Sequence, residues 1–226
     1  MKRAVGVAFV LALALVSPVL AKKPGSPPAP STSSATIATT PNPVLFGGLT
    51  TVSGLVTGKK ASGATVSLES KPFPYTGPFT RIAGTTADAT GHYSFKVVPS
   101  LNTIYNVVAK VGPSATSPNL LVKVLVRVTL GVSTLKPTVG QLVRFQGFVL
   151  PAYNGQAVQI QRRTPTGWRT VARATLVAAT PVGTIARSKY TKRLRIRSSG
   201  TYRVRFAPAD GSRLANTSPT RALRVH

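Results

Sequence analysis

The chain has 226 residues, with 29 lysines and arginines against 3 aspartates and glutamates, so its formal net charge at pH 7 is +26. It contains no cysteine and 2 histidines, which excludes disulfides and thiolate-bound metals and leaves few ligands for any metal centre. The side-chain carboxylates are Glu69, Asp88 and Asp210, which are far apart in sequence, whereas acid–base catalysis by paired carboxylates needs two together. We therefore expect a protein that is not an enzyme and has no catalytic, metal or cofactor-binding residues.

Residues 1–21 have the pattern of a secretory signal peptide. Lys2 and Arg3 precede an apolar run at 4–16, and small or apolar residues lead to Ala21, where a signal peptidase would cut. The run has 13 residues, which is too short to span about 30 Å of hydrocarbon; an uncleaved membrane anchor is the alternative. We expect a secreted, extracellular protein, with non-covalent retention at the cell surface as a further option.

Beyond the signal peptide, the sequence predicts a linker and then two similar units. Residues 22–34 are rich in proline and serine and lack periodic apolar residues, which is typical of a flexible linker. After it, segments recur in one order: 43–54 matches 137–147, 63–68 matches 155–160, and 116–118 matches 217–219. This internal repeat predicts one unit at 35–125 and a second at 126–226.

Within each unit, apolar residues alternate with polar ones. Val143, Phe145 and Val149 alternate with Arg144, Gln146 and Phe148, and similar patterns occur at 93–97, 105–109, 194–197 and 202–206. Turn sequences such as Asn154-Gly155 fall between these segments. About seven short strands per unit predict an all-β protein made of two-sheet sandwiches.

Three segments carry a family resemblance. Residues 159–163 with 167–172, 88–95 and 200–204 resemble repeats of bacterial immunoglobulin-like domains. The resemblance implies two tandem immunoglobulin-like β-sandwiches, and such domains occur in secreted and surface proteins as spacers, stalks or adhesive modules. The second unit departs from the pattern, because 179–183 and several extra residues replace the turn at 88–91.

Two tyrosines have the position of a corner tyrosine. Tyr105 and Tyr202 each open a late strand after a turn that contains threonine, and in sandwich domains the hydroxyl of such a tyrosine bonds to the chain upstream. We expect both to be structural.

Asp88 has two interpretations, a calcium ligand or a side chain that closes its own turn, and the second is favoured because calcium takes six to eight oxygens.

The segment 71–79 forms an aromatic loop. Phe73, Tyr75 and Phe79 lie among prolines, and Trp168 is the aromatic residue of the shorter counterpart in the second unit. These rings could present flat faces to a glycan or a protein partner. Alternatively they cap the open end of each sandwich, since large rings contribute most when they are buried.

The positive charge is concentrated in the second unit, which has 18 basic residues and one acid, against 7 and two in the first unit. Alternation predicts outward arginines on two consecutive strands that belong to opposite sheets. They are Arg193, Arg195 and Arg197 with Arg144 on one face, and Arg203 and Arg205 with Arg224 on the other.

This charge indicates an anionic polymer as partner, because few of these cations can find a carboxylate within the chain. Outside the cytoplasm the candidates are wall phosphate polymers, acidic polysaccharides, anionic lipid headgroups and released DNA, and arginine suits phosphate and carboxylate alike. Charge on both faces is poorly suited to reading a base sequence, so any DNA binding should be non-specific. The alternative is that the arginines form a solvated surface that protects sheet edges.

Overall fold

The computed structural model describes residues 33–226, and this part of the chain is all-β, as the alternation predicts. The signal peptide predicted at 1–21 lies outside the described residues, as does the linker predicted at 22–34 except for its last two residues. Ser34 already belongs to the first strand. No helix in 33–226 is long and apolar enough to cross a membrane.

The strands are short and follow one another through turns. Those of residues 33–125, here called the first half, are β1 (Ser34–Ala35), β2 (Ala38–Thr40), β3 (Val44–Leu45), β4 (Thr50–Thr57), β5 (Thr65–Pro72), β6 (Thr80–Thr86), β7 (His92–Val97), β8 (Thr103–Lys110), β9 (Ser114–Thr116), β10 (Leu120–Val122) and β11 (Val124–Leu125). Those of residues 126–226, the second half, are β12 (Arg127–Val128), β13 (Gly131–Val132), β14 (Gln141–Leu150), β15 (Ala157–Thr164), β16 (Gly167–Thr175), β17 (Val177–Val182), β18 (Ile185–Ile196), β19 (Gly200–Phe206), β20 (Asn216–Thr217) and β21 (Arg221–Leu223).

The first half contains two larger antiparallel sheets. In one, β4 pairs with β7 on one side and with β1 and β2 in succession on the other. In the second the order is β10-β8-β5-β6, and β9 also pairs with β8. A short parallel pair joins β3 to β11.

The second half repeats the two larger sheets with one additional strand. Its first sheet has the order β14-β18-β17, with β12 and β13 both paired to β14. Its second sheet has the order β16-β15-β19, with β20 and β21 both paired to β19. The additional strand is β17, which forms a hairpin with β18 where the first half has only the turn at 87–91.

Each half has its own hydrophobic core. Val52, Val66 and Val107 are fully buried in the first, and Phe145 and Ile160 in the second. The alternation of these residues with polar ones places one side of each strand inside, and burying a side chain of this size contributes roughly 1.5–3 kcal/mol.

Pairing registers make the two halves comparable residue by residue. Gly54 lies opposite Tyr93 in the first half as Gly147 lies opposite Tyr190 in the second. The β5–β6 pair has an irregularity at Leu68/Glu69, and the β15–β16 pair has the same irregularity at Ile160/Gln161. Positions in the second half can therefore be assigned counterparts in the first.

The hydroxyl bond predicted for Tyr105 and Tyr202 is made by other tyrosines. Tyr93 donates to the carbonyl of Thr36, and Tyr190 donates to the carbonyl of Thr129 at 2.6 Å. Tyr105 and Tyr202 are buried. Within 33–226, however, neither hydroxyl donates a comparable bond to an upstream carbonyl. The prediction was based on the turn that precedes each tyrosine. The bond instead depends on which hydroxyl reaches the carbonyl of Thr36 or Thr129, and each of these residues lies between two short edge strands.

Glycine is required where these tyrosines cross the sheet. A Cβ on Gly54 would collide with the Thr36 carbonyl and the Tyr93 hydroxyl, and a Cβ on Gly147 would collide with the corresponding atoms of the second half. The repeated glycine at this strand position therefore makes room for the tyrosine bond.

The repeated Thr-Ser-Pro sequence is also explained by the structure. The hydroxyls of Ser117 and Ser218 accept hydrogen bonds from the backbone N–H groups of Val107 and Val204, at 3.0 and 2.9 Å. Both serines are buried, and each stands where two short strands succeed one another along the same sheet edge. Each serine hydroxyl therefore takes the place of the backbone carbonyl that would otherwise accept from Val107 or Val204 in a continuous strand pair.

The two halves are joined by a short connection and by direct hydrogen bonds. Residues 120–132 form four short strands, β10 to β13, and only Val126 separates β11 from β12. Leu214 N–H donates to the Val124 carbonyl at 2.7 Å, and the Arg213 Nε donates to the Ser100 carbonyl at 2.6 Å. These contacts restrict the angle between the halves.

Candidate functional site

The seven arginines singled out from the sequence lie on both sheets of the second half. Arg144 on β14 and Arg193 on β18 are directly opposite each other, and Arg195 follows on the same strand face. Arg203 and Arg205 lie on β19 in the other sheet. Arg197 and Arg224 each follow the end of a strand.

Exposure differs between the two groups. The exposed side chains are those of Arg144, Arg193, Arg195, Arg197 and Arg224, whereas Arg203 and Arg205 are half-buried. Arg144 and Arg193 also line a shallow cavity of about 330 Å³ together with Ser133 and Leu142. Two like charges directly opposite each other destabilise a sheet, so this pair is not explained by folding alone.

The hydrogen bonds of these arginines go to neutral acceptors. Arg195 donates from Nη1 to the Gly140 carbonyl at 3.0 Å, and Arg203 donates from Nε to Oε1 of Gln161 at 2.9 Å. A neutral acceptor orients a guanidinium without cancelling its charge. The positive field of the second half is therefore left for solvent ions or an external anion.

Two of the three acids are engaged in their own turns. One Asp88 carboxylate oxygen accepts the backbone N–H groups of Thr90 and His92 and the Thr90 hydroxyl. The Thr90 hydroxyl bond, followed by the two backbone bonds, lowers the pKa of this exposed carboxyl. Asp210 likewise accepts the N–H and hydroxyl of Ser212. These contacts support the turn-closing interpretation of Asp88.

The third acid has a neutral counterpart in the second half. Glu69 on β5 lies opposite Asn106 and Arg81, and the same position on β15 is Gln161, opposite Arg203 and Thr170. Gln161 is buried, and its amide nitrogen approaches Gln159 Oε1 at 3.3 Å. The second half thus replaces the acid of this sheet face with an amide.

Two guanidinium groups lie near the ring of Trp168. The Arg203 guanidinium carbon is 4.2 Å from the tryptophan ring centroid, and that of Arg163 is 5.6 Å away. Partial burial, followed by the charges of Arg205 and Arg163, lowers the pKa of Arg203. Trp168 therefore belongs to this arginine cluster of the second half, and its side chain is half-buried.

The aromatic loop of the first half is packed on itself. Phe73 and Tyr75 meet edge to face with 5.6 Å between ring centroids, and the Lys71 ammonium lies 4.7 Å from the ring centroid of Phe79. All three rings are half-buried. A Cβ on Gly211 of the second half would reach the Phe73 ring at 3.9 Å. This arrangement favours capping over a flat binding platform.

Sequence reasoning missed Arg162. Val158, Ile160 and Arg162 are alternate residues of β15, and Arg162 lies opposite the buried Tyr202 of β19. The sequence contained a signal for this residue, since Arg162 takes the next position in an alternation of inward apolar side chains. A charged side chain at such a position needs a partner near the core.

Among residues 33–226, no group of three or more histidine, aspartate and glutamate side chains could hold a metal ion. No family model matches this chain, and no curated protein has a significantly similar sequence.

Proposed function

We propose that this chain is a secreted, non-enzymatic protein of two tandem immunoglobulin-like sandwiches that binds anionic polymers through its basic second half. The matched strand pairing of the two halves, in which long strands are extended by short edge strands, supports the tandem arrangement. The partners that fit are the phosphate polymers or acidic polysaccharides of an envelope or matrix, and retention there would be non-covalent.

One observation carries the binding proposal. Arginines on both sheets of the second half are oriented by neutral acceptors, and two of the chain's three acids are engaged in turns of their own. Each exposed ion pair contributes at most about 1 kcal/mol, so retention needs several contacts acting together. Contacts of this kind are screened over about 10 Å at 0.1 M salt, which makes retention strongly dependent on ionic strength.

The test is the salt concentration at which the mature chain elutes from an immobilised wall phosphate polymer and from an acidic polysaccharide. The variant replaces Arg144, Arg193 and Arg195 with glutamine. The matched control replaces Lys59, Lys96 and Lys110 of the first half, which are also exposed, and so changes the net charge equally. We expect the arginine variant to elute at clearly lower salt than the lysine variant. Equal shifts, or elution of the parent chain at the ionic strength of a neutral protein, would remove the proposal.

Two other outcomes would point elsewhere. If Phe73→Ala with Tyr75→Ala abolished retention while the arginine variant did not, the protein would be an adhesive module of the aromatic loop. If duplex DNA bound more tightly than other polymers of equal charge density, with a log–log salt slope near −0.9 per phosphate, DNA would be the partner.

A further inference from the structure

We propose that a cavity at one end of the second half, lined by Arg162, Arg195, Arg197 and Tyr202, binds the phosphate monoester group of an organic ligand. The inference rests on the proposed function, since it assigns one specific anionic group to a basic half that otherwise attracts polyanions broadly. The cavity has a volume of about 260 Å³. Water occupies about 30 Å³ in the liquid, and pockets for drug-sized ligands have about 300–1,000 Å³, so the space suits a phosphate with a small organic substituent.

Arg162 is held in a fixed position at this cavity. Its Nη2 donates to the Ser198 hydroxyl at 2.9 Å and to the Ser199 carbonyl at 2.7 Å. The guanidinium lies against Gly200, where any Cβ would collide with it. A glycine at this position therefore makes room for the charged group.

The hydrogen bonding of Arg162 is incomplete among the residues that the structure describes. A guanidinium has five N–H donors, and the two contacts of Arg162 both start from Nη2. Its Nε is buried and has no hydrogen-bond partner within residues 33–226. Leaving a buried donor unpaired is unfavourable, so folding alone does not explain this placement. Nη1 makes no hydrogen bond within the described part of the chain, so it is available to an anion.

The charge of the site fits a dianion. Three arginines line one cavity with no carboxylate among its lining residues, and Arg169 lies directly opposite Arg162 on the neighbouring strand. A phosphate monoester carries a charge near −2 at pH 7 and has three strong acceptor oxygens, whereas a carboxylate carries one charge and two oxygens. Arginine forks bind such oxygens in a bidentate manner.

The remaining lining residues fit the organic part of the ligand. Val171, Leu194 and Ile196 supply an apolar floor, and the Ser198 and Tyr202 hydroxyls are additional donors. Burial raises the pKa of Tyr202 while the charge of Arg162 lowers it, which places the hydroxyl within the field of that guanidinium. An apolar surface beside an anion site favours a phosphate with a carbon substituent over inorganic phosphate.

The first half provides an internal comparison. By register, Ser70 stands where the second half has Arg162, since it lies opposite Tyr105 as Arg162 lies opposite Tyr202. The pair Thr51–Lys96 of the first half matches the pair Arg144–Arg193 of the second. Lys96 therefore corresponds to Arg193, and two and four residues further along, Val98 and Ser100 correspond to Arg195 and Arg197. The same scaffold is therefore built without the three cations, and the fold does not require them.

The test is titration of the mature chain with phenyl phosphate at constant ionic strength, followed by calorimetry. We expect saturable binding of one phenyl phosphate per chain, with weaker binding of inorganic phosphate and of the singly charged phenyl sulfate. Arg162→Gln and Arg197→Gln should each weaken phenyl phosphate binding about tenfold, the equivalent of 1.4 kcal/mol. Gly200→Ala should weaken it too, although the net charge is unchanged, because the guanidinium is displaced.

Arg173→Gln is the matched control, because Arg173 is exposed on β16 of the same half and does not line the cavity. It should leave phenyl phosphate affinity within about twofold. Equal weakening by Arg173→Gln and Arg162→Gln, or no saturable binding by the parent chain, would overturn the site. Melting curves identify any variant that fails to fold.

Failure of the site and failure of the proposed function are distinguishable. If phenyl phosphate does not bind while polymer retention still depends on Arg144, Arg193 and Arg195, the site is wrong and the polyanion proposal stands. If phenyl phosphate binds and no polymer is retained, the site stands as a small-molecule site and the polyanion proposal fails.

Discussion

Tyr190→Phe tests how much the hydrogen bond from the Tyr190 hydroxyl to the Thr129 carbonyl stabilises the second half. The substitution removes one hydroxyl from a side chain that is 1% exposed, and with it the 2.6 Å bond to the Thr129 carbonyl. A net hydrogen bond contributes roughly 0.5–1.5 kcal/mol, and a buried acceptor left without a donor costs about 1–3 kcal/mol more. Thr129 and Tyr190 both line a cavity of about 350 Å³, so water can reach that carbonyl and keep the penalty small.

The expected loss is therefore about 1 kcal/mol in the free energy of unfolding. For a chain of this size that corresponds to a Tm lower by roughly 2–4 °C, measurable by calorimetry or by circular dichroism during heating. Tyr202→Phe is the matched control, because Tyr202 is as deeply buried but makes no corresponding bond to an upstream carbonyl within 33–226. It should change stability by less than about 0.5 kcal/mol.

An unchanged Tm for Tyr190→Phe with a lowered Tm for Tyr202→Phe would refute the assignment of this bond to Tyr190. That result would return the corner role to the tyrosine that the sequence pattern selected.

Two further predictions concern stability. Ser218→Ala should destabilise the chain by about 1–3 kcal/mol in urea unfolding, because the buried Val204 N–H loses its acceptor; Thr220→Ala, an exposed neighbour, should have almost no effect. Burial raises the pKa of Tyr93 to about 12. Because the raised pKa favours the protonated folded state, its contribution is complete below about pH 10, the unfolded value, and is lost as the pH rises towards 12. Tyr93→Phe should therefore flatten the decline of stability between pH 10 and 12, and an unchanged slope would argue against this assignment.

Local patterns were sufficient to predict strands and the direction of many side chains. Phe145 and Val149 are fully buried, and Arg144 between alternate core residues is exposed, because neighbouring side chains of a strand point to opposite faces whatever the strand pairs with. The repeated Thr-Ser-Pro sequence was likewise visible, although its role was not.

What the sequence determined by itself is the all-β character, the repeat and the excess of positive charge, since composition and the period of two are properties of short segments. Tertiary structure alone decided which tyrosines bond, that Gln161 takes the place of Glu69 beside Arg203, and that Arg162 meets Arg195 and Arg197 at one cavity. These contacts join residues 33 to 61 positions apart, and strand register decides them. Register depends on the packing of both sheets, which no local pattern contains.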